Sequence, residues 1–186
     1  MLAYSSVAQI GYMILGISLV SVTGLTASIS HLFNHALMKG TLFMALGCVS
    51  FRVGAAKLER MAGIGRTMPW TMGAFMIGGL SLIGVPLTAG FVSKWYLVVG
   101  ALEKGWWPVA VLVLITSLLA VIYIWRVVEA AYFKPAPEGQ VVREAPLALL
   151  VPAWTLALAN LYFGLDTSLN AGVAQQAAEM LLGVGQ

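Results

Sequence analysis

The sequence predicts an all-α, polytopic membrane protein with five to six transmembrane helices, one of them broken near Gly84–Gly90. Hydrophobic residues make up 60% of the 186 positions and charged residues 9%, whereas soluble domains carry about 25% charged residues. Two long stretches, residues 1–38 and 67–93, contain no Asp, Glu, Lys or Arg. A transmembrane helix needs about 20 mostly apolar residues, so these stretches are long enough to span a bilayer.

The first two predicted spans are separated by a short turn. The first runs from about Ala3 to Val22 and the second from about Leu25 to Phe51, with the turn at Thr23-Gly24 between them. Glycine is frequent in turns because it adopts backbone conformations that other residues avoid. No basic residues precede the first apolar run, so it does not have the form of a signal peptide.

The next apolar stretch follows a polar connector, Arg52 to Thr67, and is too long for one untilted helix. It covers residues 69–102, and Gly84, Pro86 and Gly90 interrupt its middle. Proline removes a backbone donor from a helix, so we expect either two helices or one helix that is broken at this point.

Two further spans and a tail complete the predicted elements. The spans run from about Trp107 to Phe133 and from about Pro146 to Phe163, and residues 134–138 form an extended loop between them. The tail, residues 166–186, is less apolar and is either an interfacial amphipathic helix or a frayed end. We therefore divide the chain into a transmembrane helical domain, residues 1–165, and this tail.

Three titratable side chains follow one another at intervals of four residues in the second span: His31, His35 and Lys39. Residues i, i+4 and i+8 share one face of a helix, so the three groups would form a stripe. An imidazole accepts a proton on one nitrogen and donates one from the other near neutral pH, which suits a proton relay. The alternatives are histidines that only hydrogen-bond to neighbouring helices, with Lys39 paired to a partner elsewhere, and a zinc site, for which no third ligand lies nearby in sequence.

Lys94 comes shortly after the predicted break and lies well inside its apolar stretch. A lysine inside a membrane costs at least about 2.5–3.5 kcal/mol to insert and is a functional-site hypothesis by default. Broken membrane helices leave backbone groups unpaired where they line a cavity, and transporters use such breaks at their sites. We therefore interpret Lys94 as a second relay group; the alternative is a hinged helix whose lysine reaches the lipid surface.

Carboxylates are absent from the middle of every predicted span. All acidic residues lie near span ends or in loops: Glu59, Glu103, Glu129, Glu138, Glu144, Asp166 and Glu179. A lysine in a membrane favours an opposite charge nearby, so we expect a partner subunit or sequence outside this chain to supply one. Tyr4, Ser5, Ser6 and Gln9 also make the start of the first span polar, and they either line a hydrated path or lie among headgroups.

Several classes of function are not indicated by the sequence. The net charge is +3, but the basic residues do not form a stripe along the sequence, so we expect no nucleic acid partner. We also expect no cofactor, no catalytic residue and no metal. A nucleotide-binding glycine loop, a CxxC pair and a nucleophile elbow are all missing from the sequence, which therefore does not predict an independent enzyme.

Three segments carry a family resemblance by their order and spacing: Leu2-Ala-Tyr-Ser-Ser-Val-Ala-Gln-Ile-Gly-Tyr12, His31-Leu-Phe-Asn-His-Ala-Leu-Met-Lys39 and Gly84-Val-Pro-Leu-Thr-Ala-Gly-Phe-Val-Ser-Lys94. To about residue 133, the chain resembles the antiporter-like proton-translocating subunits shared by complex I, membrane-bound hydrogenases and Mrp-type cation/proton antiporters. Two shorter segments most resemble the D-type subunits of Mrp antiporters: Arg66-Thr-Met-Pro-Trp70 and Phe91-Val-Ser-Lys-Trp-Tyr96.

The resemblance implies two inverted five-helix repeats, each with a broken helix, around a central axis of lysines, histidines and acids. It implies that Lys39 is the lysine of the second half-channel, that His31 and His35 are its relay partners, and that Lys94 belongs to the second broken helix. Family members are longer, and their first repeat would precede Met1, so the chain resembles the C-terminal half of such a protein.

We therefore expect a proton-translocating membrane subunit of a larger complex, with exchange of protons for Na⁺ as an open option. The alternatives are a proton-pumping membrane subunit of NADH–quinone oxidoreductase and a structural membrane module that conducts nothing. The expected partners are other membrane subunits, protons, Na⁺ and the lipid bilayer. The expected location is multi-pass in a membrane, the bacterial inner membrane.

Overall fold

The computed structural model describes residues 2–137 and 142–184, and within these two ranges it contains helices and no strand. The all-α prediction is therefore confirmed. The α-helices are α1 (Leu2–Ser18), α2 (Val22–Val53), α3 (Ile64–Thr67), α4 (Pro69–Ile83), α5 (Ala89–Glu103), α6 (Trp107–Phe133), α7 (Leu147–Leu165) and α8 (Asn170–Leu182), and a 3₁₀ helix, Leu58–Met61, precedes α3.

Among the residues that the structure describes, three helices, α2, α6 and α7, are long and apolar enough to cross a membrane. The shorter helices α1 and α4 are also apolar, with 17 and 15 residues. Large apolar side chains on α6 face outward, as lipid-facing residues do; Leu118, for example, is 64% exposed. The prediction of a helical membrane protein is confirmed at this level, while five to six spans stays a prediction.

The turn between the first two helices differs from its predicted place. It lies at Leu19–Ser21, where Val20 has a positive φ of 44°, and Thr23 and Gly24 already belong to α2. Ser21 caps α2 because its side-chain oxygen accepts a hydrogen bond from the Gly24 amide at 3.1 Å. The sequence prediction was wrong because it assigned a glycine to the turn where a serine cap begins the helix.

Gly24 has a packing role instead. A Cβ atom at this position would lie 2.6 Å from the carbonyl oxygen of Gly16 on α1. Small residues let two membrane helices approach closely, so Gly16 and Gly24 bring α1 against the first half of α2. The same region of α2 contacts α5, where a Cβ on Gly100 would lie 3.3 Å from the Gly24 amide nitrogen.

The apolar stretch 69–102 is interrupted near Gly84–Gly90, where the sequence predicts either two helices or one broken helix, and the structure divides it into α4 and α5. α4 ends at Ile83, and Gly84 follows in the left-handed conformation with φ 91°. α5 begins at Ala89, so Pro86 lies in the gap between the helices. Lys94 is then buried in the second turn of α5, a helix that packs against α2.

α2 is the central helix of the fold, and α1, α4, α5, α7 and α8 all pack against it. Apolar clusters hold these helices together: one joins α2, α4 and α6 around Phe75, and another joins α1, α5 and α6 around Leu97. The side chains that α1, α2 and α5 direct at one another include buried polar and titratable groups. Packing of the apolar clusters therefore sets the positions of these polar groups.

The tail contains a helix, α8, whose small face packs on α2 with Ala171, Ala174 and Ala178 buried. An interfacial position for this helix and a domain boundary after residue 165 stay predictions. Residues 185–186 of the predicted tail lie outside the described residues, and so does Glu138 at the end of the predicted loop.

Candidate functional site

The four side chains predicted to form a relay lie on two neighbouring helices. His31, Lys39 and Lys94 are buried, and His35 is half-buried. α2 is one continuous helix over 22–53, so its three titratable groups lie on one face as predicted. The His31 and His35 rings stack with their centroids 6.2 Å apart.

His31 joins α1 to α5 because both of its ring nitrogens are hydrogen-bonded. Nδ1 lies 2.8 Å from the Ser93 hydroxyl on α5, and Nε2 lies 3.0 Å from the side-chain oxygen of Gln9 on α1. An amide oxygen can only accept, so Nε2 carries a proton. In the neutral ring, Nδ1 then accepts from the hydroxyl of Ser93, and it becomes a donor when the ring gains a second proton.

The zinc alternative finds no support in this geometry. The two His31 nitrogens bond to side chains on two different helices, which leaves neither of them directed at a ligand shared with His35. Within residues 2–137 and 142–184, no group of three metal-ligating side chains comes together.

His35 lies one helical turn from both His31 and Lys39. Its Nε2 is buried and has no hydrogen-bond partner within the described part of the chain. Buried polar atoms are nearly always paired, and functional groups are among the recognised exceptions. The role of this nitrogen in a relay stays a prediction.

Lys39 reaches the beginning of α1. Its Nζ donates to the carbonyl oxygen of Leu2 at 2.7 Å and to the hydroxyl of Ser5. The Ser5 hydroxyl donates to the same Leu2 carbonyl at 2.9 Å. The ammonium group is thus held by neutral oxygen atoms, and a carboxylate is not among these partners.

Lys94 reaches back across the helix break. Its Nζ donates to the carbonyl oxygens of Leu82 at 2.8 Å and Ile83 at 3.1 Å, and it lies 5.5 Å from the centre of the Tyr12 ring. The last carbonyl groups of a helix have no partner within the helix and form the negative end of its dipole. The break itself therefore supplies partial negative charge to this ammonium group, and an aromatic face adds a cation–π contact.

Sequence reasoning left the role of the polar start of α1 open, and the structure places part of it in the site. Ser5, Gln9 and Tyr12 are spaced i, i+4 and i+7, so they share one face of α1. Each contacts a different titratable group, because Ser5 bonds Lys39, Gln9 bonds His31 and the Tyr12 ring lies near Lys94. By contrast, Tyr4 is 83% exposed and lies outside this arrangement.

Tyr12 and Ser93 were not singled out by their sequence pattern. The helical spacing of Tyr12 from Ser5 and Gln9 is a signal that could have found it. Ser93 offers no such signal, because its role depends on contact with His31, 62 positions away in the chain.

A cavity of about 640 Å³ lies between α1 and α6, beside the polar face of α1. Ser5, Gln9 and Tyr12 form part of its wall, and the Tyr12 hydroxyl donates to the hydroxyl of Thr116 on α6 at 2.8 Å. Apolar side chains form most of the rest of the wall, including Leu15, Leu112 and Val113. The polar partners of Lys39 and His31 therefore border a mostly apolar cavity.

The fold and the site together define a class: helical membrane proteins with a broken helix whose buried lysines and histidines share one polar axis. Residues 1–120 match the family described as "NADH:quinone oxidoreductase/Mrp antiporter, TM". The match covers well over half of the chain, and the chain belongs to this family. The resemblance inferred from the three sequence segments is confirmed at this level.

The relatives come from both branches that the family description names. The chain is 43% identical over 178 residues to the N subunit of NADH-quinone oxidoreductase from Desulforudis audaxviator, and the match covers 89% of this chain and 36% of the relative. It is 30% identical over 184 residues to the D subunit of the Na⁺/H⁺ antiporter from Bacillus subtilis, and this match covers 96% of this chain and 36% of the relative. The chain thus spans about a third of the length of these curated relatives.

A solved structure shares the fold over nearly the whole chain. The Mrp complex from Dietzia sp. DQ12-45-1b aligns with a TM-score of 0.88 at 26% sequence identity, covering 96% of this chain and 42% of the matched chain. The aligned part therefore extends beyond the 120 residues of the family match.

Proposed function

We propose that this chain is part of a proton-translocating membrane subunit of a larger complex, and that protons pass along Lys39, His35, His31 and Lys94. The observation that carries the proposal is the bonding of His31, which joins Gln9 on one side to Ser93 on the other. An imidazole held in this way gains and loses a proton at Nδ1 while Nε2 stays anchored.

Ser93 extends the proposed path from the histidine to α5, where Lys94 is the next residue. A hydroxyl donates and accepts at once, so Ser93 takes a proton from His31 or returns one. Side chains of adjacent helix residues do not face each other, so we infer that a bridging water carries the proton between Ser93 and Lys94. The carbonyl groups at the end of α4 favour the charged form of Lys94, whereas its burial favours the neutral form. These opposed effects suit a lysine that alternates between the two states.

The other end of the path begins at Lys39. His35 lies between Lys39 and His31 on the face of α2, and its Nε2 has no hydrogen-bond partner within the described part of the chain. We infer that this nitrogen accepts a proton from either side through a bridging water. Ser5 and Gln9, the partners of Lys39 and His31, border the mostly apolar cavity between α1 and α6. We infer that water next to these polar side chains supplies protons to the axis or removes them.

For the membrane arrangement, we propose five crossings: α1, α2, α4 with α5, α6, and α7. The helices α4 and α5 would form one broken crossing, and the location would be the inner membrane of a bacterium. The partners would be other membrane subunits, because the relatives carry the names of subunits of NADH-quinone oxidoreductase and of a Na⁺/H⁺ antiporter.

The coupling of the proton path has two candidates. The 43% identity to the N subunit of a quinone oxidoreductase favours a complex in which redox chemistry elsewhere drives the protons. The 30% identity to the D subunit of an antiporter, together with the wording around Trp70 and Lys94, favours exchange of protons for Na⁺. Proton movement into vesicles that contain the complex would distinguish the two candidates. A redox-driven complex should acidify the vesicles when an electron donor and quinone are added, whereas an antiporter should do so when a Na⁺ gradient is imposed.

The test of the relay replaces each lysine in the assembled complex with either Ala or Arg. Arginine keeps the positive charge but does not release its proton, so Lys39→Arg and Lys94→Arg should abolish proton flux as fully as the alanine variants. Lys104→Ala is the matched control, because Lys104 is exposed in the connection between α5 and α6. Flux is measured in reconstituted vesicles after confirming that equal amounts of complex are assembled.

Normal flux in Lys39→Arg would show that this residue contributes only charge and would end its role as a relay. Normal flux in all four variants would support the remaining alternative, a structural membrane module that conducts nothing.

A further inference from the structure

The helix formed by α7 and α8 is interrupted in the same way as the helix formed by α4 and α5. α7 ends at Leu165 and α8 begins at Asn170, and both pack along α2 in one direction. They run antiparallel to α2, because residues later in α7 and α8 contact residues earlier in α2. Asn160 bonds Thr41 and Asn170 bonds Asn34. Val173 then lines a cavity with Ile29. Residues 166–169 therefore interrupt one continuous path beside α2.

The two interruptions lie at the same level of α2. On the α4–α5 side, the contacts of α2 pass from Gly78 near Thr41 to Ala89 near Asn34. The interruptions also touch each other, because a Cβ atom on Gly164 would lie 2.5 Å from the Thr88 Cα. Two helix breaks thus meet beside one residue of the central helix, Asn34.

Asn34 is fully buried and bonds to both breaks through its single amide group. Its Nδ2 donates to the carbonyl oxygen of Ala89, the first residue of α5, at 2.7 Å. Its Oδ1 accepts from Nδ2 of Asn170, the first residue of α8, at 3.1 Å. The Asn170 nitrogen also donates to the Phe163 carbonyl at 3.3 Å, which ties the end of α7 to the same point.

This amide lies on the helix that carries the relay histidines. Asn34 follows His31 by three residues and directly precedes His35. We call the Asn34 amide with its bonds to Ala89 and Asn170 the clamp, and α2 holds this clamp and the two imidazoles on one continuous helix. The bond to Ala89 ties the first residue of α5 to α2. Ser93 lies one helical turn further along α5, so this bond helps to keep its hydroxyl 2.8 Å from His31 Nδ1.

We propose that Asn34 is a positioning residue for the relay, holding α5 in register with α2, and that Asn170 in turn holds the Asn34 amide. The proposal rests on the proposed proton path through Ser93 and Lys94. Proton transfer is sensitive to displacements of about 1 Å, which can cost about 100-fold in rate. A residue that touches no transferred proton can therefore control the flux through α5.

The test uses Asn34→Ala, Asn170→Ala and the double variant in the assembled complex, with Lys94→Ala as a reference. Ser30→Ala is the matched control, because Ser30 is buried on α2 but bonds only to carbonyl groups of its own helix, at Thr26 and Ala27. Two properties are measured: proton flux in vesicles, and amide hydrogen exchange of residues 84–93 compared with residues 107–133 of α6.

We expect Asn34→Ala to lower flux about tenfold or more and to speed exchange over 84–93 while α6 is unchanged. Asn170→Ala should have the same effects to a smaller extent. The double variant should match Asn34→Ala alone, because both changes act through one hydrogen-bonded unit. Ser30→Ala should behave like the unmodified complex.

Unchanged hydrogen exchange over residues 84–93 in Asn34→Ala would overturn the proposal. It would also be overturned if the loss of flux in the double variant equalled the product of the losses in the two single variants. Should Asn34→Ala fail to assemble, Asn170→Ala decides: faster exchange over 84–93 supports the clamp and unchanged exchange overturns it. Should Lys94→Ala keep normal flux, the proposed proton path fails, and the exchange data still decide separately whether Asn34 holds the break.

Discussion

At the scale of single residues, both buried lysines are held by neutral oxygen atoms. Lys94 donates to two carbonyl groups at the end of α4, and Lys39 donates to the Leu2 carbonyl and the Ser5 hydroxyl. A carbonyl dipole stabilises an ammonium group less than a carboxylate does, so the charged and neutral forms of each lysine stay closer in free energy. Such a balance favours reversible protonation over a permanent ion pair.

Gln9 provides a test at this scale, because it anchors the imidazole that the path depends on. Gln9→Leu removes the acceptor for His31 Nε2 and leaves a buried N–H without a partner, which costs about 1–3 kcal/mol. If that cost falls on the productive orientation of the ring, flux should drop about tenfold. Proton flux in vesicles measures the effect.

Tyr4→Phe is the control for Gln9→Leu, because Tyr4 lies on the same helix and is largely exposed. Equal flux in Gln9→Leu and Tyr4→Phe would contradict a role for Gln9 in anchoring His31.

At the scale of the elements, the helix dipole of α4 is matched by a side chain of opposite charge at each end. The Glu144 carboxylate accepts from the Trp70 amide at 2.8 Å and from the Thr71 hydroxyl at 2.5 Å, at the positive end of the helix dipole. Lys94 lies at its negative end. An anion at the start and a cation at the end of a helix each stabilise it, which supports this short helix against the break that follows.

Gly84 links the end of α4 to Lys94, and it gives a prediction for the break. Its φ of 91° is left-handed, and a Cβ atom would lie 3.0 Å from the Lys94 Cδ. Gly84→Ala should therefore lower the stability of the complex by about 1 kcal/mol through backbone strain and also lower flux by displacing Lys94. Thermal unfolding and proton flux are measured together.

Gly105→Ala separates the two effects of this change. Gly105 has a similar φ of 71°, but a Cβ atom there would meet nothing within 4 Å. It should lower stability by a similar amount and leave flux normal. A loss of flux in both variants would show that strain alone, and not the position of Lys94, accounts for the effect.

At the scale of the whole molecule, one central helix organises the site. α1 and α5 place their polar faces against α2. α7 and α8 also pack against α2, and their residues Asn160 and Asn170 form hydrogen bonds with it. Apolar clusters around Phe75 and Leu97 set the helix positions, and the polar groups then meet across the helix contacts. The polar axis proposed to carry protons is therefore a property of the assembled bundle.

The five proposed crossings make a prediction about membrane sides. α4 and α5 together should carry the chain across once, so residues before and after them should lie on opposite faces. In a Cys48→Ala background, Lys57→Cys and Lys104→Cys in the assembled complex should react with an impermeant thiol reagent from opposite sides of the membrane. Lys134→Cys, after α6, should react from the same side as Lys57→Cys.

Reaction of Lys57→Cys and Lys104→Cys from one side would contradict a single broken crossing. It would mean that α4 and α5 form a hairpin and that the count of spans must change.

The sequence by itself determined the helical membrane class, the interruption after Ile83 and the stripe of titratable groups on α2. Each of these depends on local properties: apolar length, the backbone demands of glycine and proline, and the period of 3.6 residues per turn. The error at Thr23-Gly24 has a related cause, since Gly24 serves a helix contact that a local pattern does not reveal.

Only the tertiary structure decided which groups meet. Ser93 bonds His31 across 62 positions, Lys39 bonds the Leu2 carbonyl across 37, and Asn170 bonds Asn34 across 136. Such contacts follow from how the helices pack, and several packings are compatible with the same local periodicity. The polar partners of the relay, and the meeting of two helix breaks at Asn34, therefore depend on the packed bundle, because hydrogen bonds form only where packing brings donor and acceptor within about 3 Å.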